Sequence, residues 1–232
     1  MKTARHKSYT GAELTNQRKR RLLLFIFLSV FPMGVIGFGA IALSSDVSGI
    51  GSRLVGHPRK RFPLTVYAEP APSKVFNSAI RDAVAQWNEV FDQLFQQDAF
   101  RWTGNWSCAN VLIRFTKSGH GEMGETDVDA DKSGVIRLPV KIDLNPPKPR
   151  GQTDTRQMLF DVIAHELGHA LGLPHSDKVN SIMCCEPGSI NFKDPATRAA
   201  YIQARRRPNL QSVAPDLAVH YQKFWHEHGP SS

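Results

Sequence analysis

The sequence predicts an α+β domain over residues 62–232, set behind an apolar segment near the N-terminus. Three observations carry that reading. A long run after Ser73 repeats its apolar residues with the period of a helix buried on one side. Two runs, 111–115 and 134–144, alternate as strands do, and two more helical stretches follow, one ending near Leu171 and one starting after Pro215. At 41% hydrophobic and 22% charged residues, the composition is that of globular material and excludes a disordered or collagenous chain.

Taken in order, residues 1–21 form a basic tail with seven Lys/Arg, four of them consecutive at Arg18, Lys19, Arg20 and Arg21. Leu22 to Leu43 then runs for 22 positions without a charge, enough to cross a bilayer as a helix. The basic head is expected to stay cytoplasmic, which puts the rest of the chain outside. A membrane anchor is the favoured reading of this segment. Cleavage after Ala42, at Ala40-Ile41-Ala42, is the alternative and would release the chain as a secreted protein. Residues 44–61, rich in Gly and Ser and basic, read as a linker.

Within the domain, Pro63 to Tyr67 is a strand candidate closed by Pro70 and Pro72. Ser73 is placed to cap a helix whose stripe runs through Phe76, Ile80, Ala83, Trp87, Phe91 and Leu94, a pattern of core packing. Val111, Ile113 and Phe115 suggest a strand. Gly134 to Leu144 suggests another, with Pro139 pointing to an edge position or a bulge. Asp154 or Thr155 caps a helix reaching about Leu171, and Leu217, Val219, Tyr221 and Phe224 mark the last amphipathic helix. There is no internal repeat.

The formal charge of +8 lies outside the expected domain. Residues 1–61 carry eleven Lys/Arg against Glu13 and Asp46, whereas residues 62–232 carry eighteen against nineteen acidic residues. A phosphate-binding footprint should lie on the folded domain. The charge therefore reports topology, and no nucleic-acid partner is expected.

The second long helix contains His165-Glu166-Leu167-Gly168-His169. Histidines four apart share a helix face and reach one metal ion, while Glu166 falls beside that pair, where it can hold a water without ligating. Gly172 can turn the chain out of the helix so that His175 supplies a third nitrogen. Three protein ligands leave zinc a fourth position for water, as in catalytic sites. H-E-x-x-H alone recurs by chance in about one chain in a hundred of this size; Gly172 and His175 at fixed offsets lower that to about one in 10⁵.

The run H-E-L-G-H-A-L-G-L-P-H resembles the long zinc-binding pattern of the metzincin metallopeptidases. Ser176 after it is similar to the matrixin branch, which includes the matrix metalloproteinases. Met183, eight residues beyond His175, falls where that family places its Met-turn. The resemblance implies a metzincin-like fold and one catalytic Zn²⁺ on His165, His169 and His175. It also implies peptide-bond hydrolysis by a zinc-bound water with Glu166 as general base, acting on a protein or peptide substrate. The histidines must be neutral to ligate, so activity should fall in acid. The residues that select the substrate are expected in the loop at roughly 176–195.

Several features depart from the family pattern. Residues 44–61 contain no cysteine, so latency through a cysteine there is not expected. His120 is the only histidine between His57 and His165, which argues against a structural zinc. Asp127, Asp129 and Asp131, with Ser133, space oxygens as a Ca²⁺ site can, but an EF-hand is excluded by Lys132 and Leu138, and a solvated acidic turn is the favoured reading. The segment from Cys184 to Gln211 is longer than a small matrixin domain needs, and its Arg205-Arg206-Arg207 triplet reads as solvated. In an exported chain Cys108 is a candidate partner for Cys184 or Cys185. A rival function is a catalytically weak, zinc-binding membrane scaffold on the same fold, although no ligand is replaced and Glu166 is present. The sequence carries no signal of oligomeric state.

Overall fold

The computed structural model describes residues 54–116, 123–145, 155–185 and 189–229, together with the backbone of Leu22 and Leu23. Six strands form one mixed sheet: β1 (Leu22–Leu23), β2 (Leu64–Ala68), β3 (Phe100–Trp102), β4 (Val111–Phe115), β5 (Gly124–Asp127) and β6 (Val140–Leu144). Their order is β1-β5-β6-β4-β2-β3. β2, β3, β4 and β6 run parallel, while β5 is antiparallel to both β6 and β1. Four helices accompany the sheet: α1 (Lys74–Phe95), α2 (Thr155–Ala170), α3 (Pro195–Arg206) and α4 (Ala214–His228). The expected α+β class holds for the described residues.

α1 follows its apolar stripe and buries Phe76, Ile80, Ala83, Trp87 and Phe91. Ser73 stands at its N-cap but makes no side-chain cap bond, and Val75 is exposed. Gln96 ends the helix in the left-handed region at φ 58°. The fully buried Trp87 donates its indole N–H to the Ala164 carbonyl at 2.9 Å, which locks α1 to α2. α2 has no dry and wet side: from Leu159 to Ala170 every residue is buried. That is why the site helix sits at the centre of the domain.

Several expectations are corrected. β6 is an interior strand, between β5 and β4; Pro139 precedes its first residue, so the missing N–H removes no ladder bond. Residues 54–61, read as linker, belong to the domain. Gly56 bonds both ways with the 134–136 segment, and the ring of Phe224 lies where a side chain at Gly56 would go. His57 is fully buried and bonds the Ala170 carbonyl at 2.9 Å. Cys184 is joined to Cys185, and Cys108, the candidate partner for either, is an exposed free thiol.

The expected membrane span, 22–43, lies outside the described residues except for Leu22 and Leu23, whose backbone pairs with β5 as strand. No described helix is long and apolar enough to cross a membrane. His120 also lies outside the described residues.

Candidate metal centre

The site is assembled by the end of α2. Its last turn closes through Gly172 N–H to the His169 carbonyl at 2.8 Å and Leu173 N–H to the Gly168 carbonyl at 3.0 Å. That is the Schellman pattern, with Gly172 in the left-handed region at φ 89°. A side chain at Gly172 would also run into the Val55 carbonyl. The turn reverses the chain and brings His175 back to face His165 and His169.

The three Nε2 atoms converge. His169 Nε2 lies 2.9 Å from His165 Nε2 and 3.2 Å from His175 Nε2. Zinc–nitrogen bonds of about 2.0–2.1 Å at tetrahedral angles would set such atoms roughly 3.3 Å apart. The opposite ring nitrogens fix the tautomers. His165 Nδ1 donates to the Ile182 carbonyl and His169 Nδ1 to the Leu173 carbonyl, each at 2.8 Å. With the Nδ1 protons committed, the Nε2 lone pairs of these two rings point into a shared space, an arrangement that only a cation between them makes favourable. The donor set therefore fits a metal ion, and it is the sole such cluster among the described residues.

Burial keeps these rings neutral. His165 is pushed well below the ordinary imidazole value, first by burial and then by the neighbouring His169. His169 is pushed down to about 3 by burial, with His175 adding to the shift.

Met183 is 1% exposed, and its sulfur occupies the space a side chain at Gly168 would need. Gly168 thus lets the Met183 turn pack directly under the helix.

The remaining candidate is Glu166, 1% exposed. Its Oε2 accepts a hydrogen bond from Thr126 Oγ1 at 2.6 Å, and the same hydroxyl lies 3.2 Å from the Glu166 carbonyl oxygen. Two residues earlier on β5, Gly124 passes so close that an added Cβ would sit 2.7 Å from Glu166 Oε1. β5 therefore lies over the carboxylate, with a glycine where there is no room and a hydroxyl where there is a bond.

The family model for matrixin peptidases (peptidase M10) matches residues 59–191, more than half of the chain. The chain belongs to the matrixin family. Metalloendoproteinase 1 of Glycine max is 28% identical over 133 residues, which cover 50% of this chain and 39% of that protein. Stromelysin-1 of Mus musculus is 30% identical over 148 residues, 60% of this chain and 30% of that protein. This matrixin thus spans well under half the length of these two relatives. Among solved structures, archaemetzincin from Methanopyrus kandleri aligns at a TM-score of 0.39 and 13% identity, over 68% of this chain and 94% of that one.

The structure brings together the three histidines that the sequence of this matrixin singles out, while Glu166, on the same helix, has its carboxylate against β5. The structure does not unite the acidic candidates. Asp131 spends its carboxylate on the Ser133 and Val135 N–H groups and the Ser133 hydroxyl, and Asp129 pairs with Arg137 at 3.4 Å. The alternative reading of these residues as a Ca²⁺ site is therefore unsupported among the described residues. Thr126 was not legible beforehand, because a polar strand reading Gly-Glu-Thr-Asp carries no apolar alternation.

Proposed function

We propose that this matrixin is a zinc-dependent endopeptidase acting on protein or peptide substrates. The observation that supports it most is the convergence of three Nε2 atoms, two of them with fixed tautomers. A bound zinc ion supplies Lewis acidity, polarising a carbonyl and lowering the pKa of a water molecule toward 7.

The chain's own groups do the rest. His165, His169 and His175 would hold the ion through Nε2, and three protein ligands would leave it room to take up water. Glu166 takes a proton from the attacking water at its carboxylate and delivers it to the departing amine nitrogen. Thr126 holds Oε2, so the carboxylate keeps one orientation through both transfers. A substrate strand added along β5 would run beside the strand that carries Thr126.

The uncharged run 22–43 and the basic residues before it support placing the domain outside a membrane, anchored, or secreted if cut after Ala42.

The test is casein turnover by the zinc-loaded chain. Turnover that stops with a chelator and returns with added zinc is expected. No turnover at full zinc occupancy would instead favour the scaffold reading.

A further inference from the structure

Arg205 belongs to the triplet that reads as solvated, yet its side chain is only 17% exposed. It is the second-last residue of α3, a helix with no buried residue of its own, beyond the span that matches the family model. From there it reaches two elements of the site at once. Its Nη1 lies 3.0 and 3.1 Å from the two carboxylate oxygens of Asp161, which is buried on α2 one turn before His165. Its Nη2 donates to the Ser181 carbonyl. Tyr201 underlies the guanidinium at 5.3 Å from the ring centre.

The position of Ser181 gives this contact its meaning. Ser181 precedes Ile182, whose carbonyl fixes the His165 ring. The Ser181 carbonyl also accepts from Cys184 N–H at 3.1 Å and so closes the turn that carries Met183. Arg205 therefore grips the Met183 turn at its root and ties it to α2 beside His165.

Stability alone is a poor reason for such a residue. A buried ion pair returns little over well-packed apolar groups. Arg205 Nε is also buried without a hydrogen-bond partner, which costs further. What the pair supplies is direction: a planar fork with two fixed targets.

We propose that Arg205 is a positioning residue for His165, holding the Ser181–Ile182 peptides against α2 so that the imidazole keeps its metal-binding orientation. The proposal rests on the reading that the three histidines bind the metal. Outer contacts of this kind tune metal affinity by roughly 10–100-fold.

The test uses Co²⁺ as a coloured stand-in for zinc and follows affinity and the visible d–d spectrum in three variants. Arg205→Met should weaken Co²⁺ binding at least tenfold and change the spectrum, and Arg205→Lys should lose less. Asp161→Leu with Arg205→Met removes the whole ion pair and leaves no lone buried charge, so this chain should keep its fold and melting temperature. It should still bind Co²⁺ at least tenfold more weakly, because the Ser181 carbonyl has lost its tether. Unaltered affinity and spectrum in the double variant would overturn the proposal and leave Arg205 a structural role. A wild-type chain that binds no Co²⁺ would overturn the metal reading itself, a distinct result.

Discussion

Two helices lean on α2, and they do so by opposite means. α1 meets it with a face of buried side chains running from Phe76 to Phe95, anchored by Trp87. α3 buries none of its residues and meets α2 through Arg205. Apolar burial is non-directional and supplies free energy roughly in proportion to area. A guanidinium clamp supplies little net energy but fixes geometry. The contrast assigns α1 to holding the domain together and α3 to aiming what it holds.

Truncations should separate these roles. Trp87→Ala removes a fully buried indole and its bond to Ala164, and should cost about 3–5 kcal/mol in urea unfolding. A loss below about 1 kcal/mol would show that α1 is not the main support of α2.

His57 is a polar weakness in the buried region. Burial is the main cause that pushes its imidazole down to about 4, aided by Arg61 and His220 and opposed by its bond to Ala170. An unfolded histidine takes a proton near 6.5, whereas the folded one resists until about 4. Its contribution to stability is therefore complete above about pH 6.5 and is lost as the pH falls through 4, to a total of about 3 kcal/mol. His57→Gln keeps a donor for Ala170 and should flatten the fall in unfolding free energy between pH 6.5 and 4. An unaltered slope would remove His57 from the account.

A smaller effect is expected where the site is aimed rather than built. Thr126→Val deletes the hydroxyl on Glu166 Oε2 and should lower kcat roughly tenfold with KM and zinc content unchanged, a fraction of the 10²–10⁴ that a general base supplies. Thr126→Ser should restore most of it. Equal turnover in the valine and wild-type chains would dismiss the role. The smallest effect belongs to Ile202 on α3, 43% exposed; Ile202→Ser should move stability by no more than about 0.5 kcal/mol. A larger loss would mean that α3 is held by apolar burial after all.

Legibility followed the same divide. α1 was readable because burial on one side leaves a period in the sequence, and His165, Glu166, His169 and His175 because their ligand geometry depends on short fixed spacings. Arg205 was not: its partners lie 44 and 24 residues away, and three arginines in a row look like surface. Gly56 and His57 looked like linker because composition cannot reveal that Gly56 leaves room for Phe224 or that His57 caps α2. β5 was hidden because Gly124 and Thr126 face a carboxylate instead of a core. Local periodicity and spacing reached the sequence surface; single polar contacts between distant residues did not.

Glu166 is proposed to move protons beside a metal that it does not itself ligate. Glu166→Ala, assayed for both zinc content and casein turnover, tests it most directly. Zinc should stay near one per chain while turnover falls at least about 100-fold. Undiminished turnover would contradict the role of the base, and lost zinc would show that Glu166 belongs to the metal's own ligand set.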